Sequence, residues 1–297
     1  MAKIVFAGAM SHSPLMNFPI EKNHDQVERF KAAVVNMAER LHAAKPDAVV
    51  IFGPDHFRAL FYDLMPAFVI GVDHVEGWGD WNTHAGPFHA HNELARHILK
   101  TSLEEGFEPA FSHDIKIDHG ITQPLQLLDL LKIPIVPILI NSAAPPLPAP
   151  KRCFQFGALV GRAIGSFSDG VRVAVFASGG LSHDPPGPSH ENALHGRTNG
   201  FAASRERETS LMNRVNVLQA RINPEWDRDV LAHFERGAVG TLADRLTTES
   251  IFDAAGNGGQ EIRTWIAMAG ATGDAPMRVL CYEPIDTLIT GMGVVVT

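Results

Sequence analysis

Short apolar runs alternate with segments of helical period in this chain, and few folds accept that alternation. Residues 3–9 (KIVFAGA) form a run of strand length that reads as a buried strand. Between residues 25 and 44, Val27, Phe30, Val34, Met37 and Leu41 recur at spacings of three and four, which is one face of a helix. Pro46-Asp47 stops that helix, and residues 48–52 (AVVIF) supply a second buried strand. Strand, helix, strand in this order predicts a right-handed parallel βαβ unit.

The rest of the chain extends the pattern. Residues 77–91 read as a long loop, 92–105 as a helix stopped by Gly106, 111–117 as a strand and 123–131 as a helix. Residues 133–140 (IPIVPILI) are strongly apolar, but Pro134 and Pro137 predict an edge or irregular strand. A Pro-rich connection at 143–150 leads to a helix over 154–166 and a strand over 171–177. The β signal then fades from Asp184 to about Gly259. Within that stretch Asn223-Pro224 opens a helix that Gly237 closes. A helix over 261–271 and strands over 279–282 and 293–296 complete the chain. The expected fold is α/β, with a mainly parallel or mixed central sheet flanked by helices and a helical segment in the C-terminal half. One domain over residues 1–297 is expected, with 187–260 a mostly helical insertion.

Composition narrows the setting. The formal charge is -8 and no Lys/Arg block is present, which argues against nucleic acid or an anionic membrane surface as partner. No apolar run reaches the length of a membrane span. Ser11-His12-Ser13-Pro14 cuts the first apolar run too early for a signal peptide, so the cytoplasm is expected. Cys153 and Cys281 offer neither a disulfide framework nor a metal knuckle and read as small apolar residues.

Fifteen histidines are many for this length, and their positions carry the argument. His12, His56 and His183 each follow an apolar strand in a turn containing Pro or Gly, and His119 follows a weaker strand in the same way. In open α/β sheets, ligands bind beyond the carboxyl ends of the strands. One such histidine is an ordinary loop residue; four at one topological station point to a site. Two neutral imidazoles and one carboxylate on one face of an octahedron leave neighbouring positions open, an arrangement that suits non-haem Fe(II). Spacing does not select the carboxylate among Asp55, Asp118, Asp184 and Glu261. By spacing alone Glu261, after Asn257-Gly258-Gly259, reads as a helix-start carboxylate favoured by the dipole. His84, His89 and His91 read as a solvated loop, with a second metal at His89-x-His91 or a pocket lid as alternatives. Trp78 and Trp81 are expected to pack on the core.

Several stretches together carry a resemblance. They are Ser11-His12-Ser13-Pro14-Leu15, Pro54-Asp55-His56-Phe57 with Phe61-Tyr62-Asp63, Asp118-His119-Gly120, Gly179-Gly180-Leu181-Ser182-His183 with Pro185-Pro186, Asn223-Pro224-Glu225-Trp226-Asp227 and Glu261-Ile262-Arg263-Thr264-Trp265. In this order, across nearly the whole chain, they resemble the class III extradiol ring-cleavage dioxygenases, the family of the protocatechuate 4,5-dioxygenase catalytic subunit. The resemblance implies that His12, His56 and Glu261 bind Fe(II). It implies that His119 and His183 form an acid/base pair, His183 as base and His119 as proton donor. It implies an aromatic diol and O₂ as substrates, ring opening to a 2-hydroxymuconate-type acid, and a homo-oligomer. With Arg58 beside the His56 turn, it also implies a catechol carrying an acidic side chain, such as a phenylpropionate. Arg58, Asp118, Asp184 and Pro185 are the expected substrate contacts.

Three features depart from the family pattern: Arg58 itself, the histidine-rich stretch 82–91, and residues 187–214. Two rival readings use the same ligand set. One is a Zn²⁺ hydrolase with an activated water. The other is a non-catalytic, metal-bound interaction protein, against which the presence of both His119 and His183 weighs.

Overall fold

A computed structural model describes residues 1–20, 22–184 and 221–297. In chain order the elements are β1 (Lys3–Met10), α1 (His24–Ala43), β2 (Ala48–Gly53), β3 (Phe68–Trp78), β4 (Ala85–Phe88), α2 (Asn92–Glu104), β5 (Ala110–Ile117) and α3 (His119–Leu127). They continue with β6 (Ile135–Ile140), α4 (Pro150–Ser166), β7 (Arg172–Ser178), α5 (Pro224–Arg236), α6 (Val239–Arg245), α7 (Thr248–Ala255), α8 (Ile262–Ala271), β8 (Arg278–Ile285) and β9 (Thr290–Val296). Short 3-10 turns also occur, among them Asp80–Asn82 and Gly258–Glu261.

The strands form one mixed sheet in the order β4-β3-β6-β2-β7-β1-β9-β8, with β5 paired to β3. Its centre, β6-β2-β7-β1, is parallel throughout. Both faces of that centre are covered, which explains why AVVIF lacks polar alternation. Val49 and Ile51 pack with Phe30, Val34 and Met37 of α1 and with Ile121 and Leu125 of α3. Val50 and Phe52 face the other way, toward Phe156 and Val160 of α4 and Trp265 and Ile266 of α8. The α4–α8 crossing is close because it is lined by glycine. A Cβ on Gly157 would lie 1.8 Å from the Ala267 carbonyl oxygen, and one on Gly270 would lie 2.2 Å from that of Phe154. That crossing fixes α8, and with it the turn that precedes it.

The expected α/β class, mixed sheet and C-terminal helices are present. Asn223 caps α5 by accepting from Trp226 N at 3.1 Å, and Gly237 ends it at φ 61°. Of the expected helical insertion, residues 221–260 carry α5, α6 and α7, while 187–220 lie outside the described residues.

Several local expectations are corrected. Residues 77–91 are not a plain loop: they hold the end of β3, a 3-10 turn and β4, which pairs antiparallel with β3. The β6 strand is interior, between β3 and β2, despite Pro137. Its pairing with β3 covers only Ile138–Ile140, so Pro137 lies past the end of that ladder, and Gly71 leaves room for its ring. Helix α3 starts at His119, because Asp118 caps it through Gly120 N at 2.8 Å. Finally, β5 runs parallel to β3, which is antiparallel to β6, so His119 does not leave a member of the parallel centre. Among the described residues no helix is long and apolar enough to cross a membrane.

Candidate active site

Adjacent parallel strands β1, β2 and β7 end side by side, and the turns that follow them carry His12, His56 and His183. His12 stands between two anchored serines. Ser11 Oγ donates to the Gly291 carbonyl and accepts from Gly293 N, both at 3.0 Å, which ties the end of β1 to β9. Ser13 exchanges hydrogen bonds with the Gln123 side chain. His12 Nδ1 lies 3.1 Å from Ser178 Oγ at the end of β7. Burial pushes the His12 imidazole down to about 3 against the pull of Glu261, so the ring is neutral at pH 7.

The turn after β2 is held by Asp55, whose carboxylate accepts from the amides of Arg58, Ala59 and Leu60. Burial and the nearby Asp118 raise Asp55 to about 7. The same turn places Phe57 at φ 56°. Asp118 then grips His56 from behind: its Oδ2 accepts from His56 N at 2.6 Å and from Nδ1 at 3.1 Å. His56 Nε2 therefore points forward, 3.1 Å from Glu261 Oε1. Burial works against a charged His56, but Asp118 and Glu261 outweigh it and hold the ring well above its usual value.

His119 opens α3, which crosses the end of β2; a Cβ on Gly53 would strike Ile121. The His119 ring stacks on His56 with centroids 4.2 Å apart and stands edge-on to His12 at 5.5 Å. Asp80 accepts from His119 N at 2.9 Å and from Nδ1 at 2.7 Å. Burial would raise the Asp80 carboxyl, but His119 and Arg58 hold it below the usual range.

His183 lies in a slot between two glycine segments. A Cβ on Gly180 or on Gly258 would come within 2.1 Å of its ring. Backbone bonds from His183 N to Ala255 O and from Gly258 N to His183 O strap it to the α7–α8 turn. Its Nδ1 donates to the Leu181 carbonyl at 2.9 Å, and its Nε2 faces Glu261 Oε1 at 3.6 Å. Against burial, the charge of Glu261 and these hydrogen bonds raise His183 above its usual value. Glu261 itself is buried and accepts from Gly180 N at 2.6 Å. Burial alone would raise this carboxyl; His12, His183 and His56 hold it well below the usual range.

The structure thus brings His12, His56, His119, His183 and Glu261 together. Among the described residues, two groups of three donor atoms lie within 4.8 Å of one another: His12, His56 and His119, and Asp80, Asp118 and His119. Glu261 is in neither trio but touches three of the four histidines, at 3.1 Å from His56, 3.6 Å from His183 and 4.0 Å from His12. Both oxygens of Asp118 are engaged, Oδ2 by His56 N and Nδ1 and Oδ1 by Gly120 N. Asp184 accepts from Asn257 N at 3.0 Å and pairs with Arg221, so it ties two turns together. Arg58 is buried, with Nε 3.2 Å from Asp80. Pro185 lies outside the described residues. His91 caps α2 through Leu94 N, and His84 packs on Phe88, so neither reads as a solvated loop residue. Trp81 packs as expected, edge-on to His119 at 6.2 Å. Asp80 has no counterpart in the sequence reading, since no spacing links it to residue 119.

Residues 7–293 match the family model described as the catalytic LigB subunit of aromatic ring-opening dioxygenase.

The chain belongs to this family.

It is 37% identical to a protein of Photorhabdus laumondii named 2,3-dihydroxyphenylpropionate/2,3-dihydroxicinnamic acid 1,2-dioxygenase, over 96% of this chain and 94% of that one. A protein of the same name from Rhodococcus jostii is 36% identical over 96% of this chain and 95% of its own. An uncharacterised protein of Escherichia coli K12, known from its crystal structure, shares the fold with a TM-score of 0.55, at 14% identity and over 98% of both chains. As a member of the LigB family, this chain is an oxidoreductase that opens a catechol ring with O₂, and its chemistry is metal-dependent.

Proposed function

We propose that this LigB-family dioxygenase works with Fe(II) held by His12, His56 and Glu261. The observation that carries the reading is Glu261, one buried carboxylate within 4.0 Å of three histidines drawn from three separate segments. The donor set fits a ferrous ion: two imidazoles and a carboxylate. The surroundings of the ligands fit as well. Metal-binding histidines characteristically present their second nitrogen to a carboxylate or other acceptor, which fixes the ring. Asp118 stands at Nδ1 of His56, which leaves its Nε2, 3.1 Å from Glu261, for the metal, and Ser178 lies 3.1 Å from Nδ1 of His12. Iron, when bound, supplies the electronic link between the diol and O₂.

The protein's own part is proton transfer and orientation. A catechol must lose protons on binding, and ring opening later needs a proton returned to oxygen. One histidine cannot be both acceptor and donor at the start, so a pair divides the work. We assign His183 as base, because its Nδ1–H donates to the Leu181 carbonyl, which keeps the hydrogen on Nδ1 and leaves Nε2 to accept a proton. His119, held by Asp80, is the proton donor. Asp118 orients His56, and Arg58, fixed at Nε by Asp80, is the cation assigned to an acidic side chain on the substrate. The whole chain acts as one domain, with residues 187–260, whose described part carries α5, α6 and α7, as an insertion in it.

The substrate class proposed is a catechol bearing a short carboxylate side chain, as the names of the relatives state for them. A panel of catechols tests this. The phenylpropionate-substituted diol should have a higher kcat/KM than catechol or neutral alkyl catechols, and Arg58→Ala should erase the difference. Equal kcat/KM across the panel in the native enzyme would remove Arg58 as the anchor.

A further inference from the structure

We propose that Asp80 is the positioning residue for His119, a role that rests on the reading of His119 as proton donor. Three donors converge on its two oxygens: His119 N on Oδ1 at 2.9 Å, and His119 Nδ1 and Arg58 Nε on Oδ2 at 2.7 and 3.2 Å. Two of the three belong to the same residue. Gripping the backbone amide and the ring of His119 together fixes its side-chain torsions and its tautomer, because Nδ1 must carry the hydrogen that Asp80 accepts. The ring nitrogen left to exchange a proton with a ligand is Nε2.

Asp80 is itself held rigidly. It sits in the turn between β3 and β4, where Gly79, Trp81 and Asn82 have φ of 74°, 53° and 60°. Two of these are not glycine, and such conformations persist only where the surroundings over-determine them. Thr83 supplies part of that support by donating from N and Oγ1 to the Asp80 carbonyl at 3.0 and 2.7 Å. Asn17 donates to the Trp81 carbonyl at 2.8 Å, tying the turn to the segment after His12. The buried Trp81 ring then stands edge-on to His119. The carboxylate thus projects from a fixed base onto one histidine.

An amide at position 80 is nearly isosteric but offers one acceptor to three donors, so it cannot hold the ring as the carboxylate does. The test is a double-mutant cycle on the iron-loaded enzyme, measuring kcat, KM and bound iron, with ¹⁵N-histidine NMR of the zinc-loaded protein to follow the His119 tautomer. With unsubstituted catechol, which does not engage Arg58, Asp80→Asn should lower kcat by about 10-fold to 100-fold, the usual range for an outer partner of a site residue, with KM and iron content unchanged. The Nδ1-protonated signal that disappears in His119→Ala should shift in Asp80→Asn. In the His119→Ala background, Asp80→Asn should cost no further kcat with unsubstituted catechol, because a residue acting through His119 has nothing left to act on. Asp80→Glu, which keeps both acceptors, should recover part of the rate; if Asp80→Asn does not fold, Asp80→Glu placed in both backgrounds carries the same test. An equal fold-loss in both backgrounds, or a native kcat in Asp80→Asn, would overturn the proposal. A native kcat in His119→Ala would instead overturn the reading of His119 on which it rests.

Discussion

A carboxylate buried among imidazoles is costly unless its charge is matched, and Glu261 is matched on every side the structure describes. On the proposed reading, the residues divide between those that hold a metal and those that move protons. Glu261→Ala should therefore lose metal affinity by more than about 100-fold, beyond what an outer partner costs, while circular dichroism stays native. A plain helix-start carboxylate predicts native metal content instead, since it is worth only about 0.3–1 kcal/mol. His119→Ala and His183→Ala should lower kcat by ~10²–10⁴ with metal retained. Two solvated loop histidines would show almost no loss, and a lost metal would recast either one as a ligand. His12, His56 and His183 were legible because each lies in a turn containing Pro or Gly after an apolar run, and His119 because it follows a weaker strand in the same way. Asp80 was not, because a carboxylate 39 residues away from its partner leaves no local pattern.

Elements place these residues by contacts as close as backbone allows. The slot around His183 depends on Gly180 and Gly258, and a methyl group at residue 258 would overlap the ring at 2.1 Å. Gly258→Ala should then cost kcat about 10²-fold, the scale of a 1 Å misplacement. Gly165→Ala is the matched control: its Cβ meets nothing within 4 Å on the exposed end of α4, and the change should stabilise the helix by about 0.5–1 kcal/mol. Thermal melts and steady-state rates on the two variants check both outcomes; native kcat in Gly258→Ala would mean that the slot does not hold the ring. Helical period made α1 readable, capping residues made α5 readable, and buried apolar runs made β1, β2 and β7 readable. The β3 strand escaped because its second half alternates exposure around Asp73, His74 and Glu76 and is broken by Gly71 and Gly77. The β6 strand was readable as apolar but not as interior, because only the three-dimensional path of β3 shows where its ladder ends.

Taken whole, the molecule is a sheet covered on both faces whose parallel centre ends in one crevice, and the proposed ligands reach it from residues 12, 56 and 261. A set so dispersed cannot be recovered from spacing. Its carboxylate emerged only from the ordered resemblance of motifs along the chain, which the match over residues 7–293 bears out at the level of family. The covered sheet also explains how the four histidines meet: three turns leave neighbouring strands, while α3 brings the fourth histidine over the end of β2 from outside the parallel centre. On the proposed reading this frame serves ferrous iron in ring opening by O₂. The direct test is to load the protein without oxygen with Fe(II) or with Zn(II) in parallel, then add a phenylpropionate-substituted catechol and O₂. Oxygen uptake and the yellow ring-fission product should appear together, one O₂ per ring opened, in the iron-loaded sample alone. Ring fission by the iron-free zinc protein, or product formed without oxygen uptake, would rule out ferrous iron as the working metal or O₂ as the oxidant.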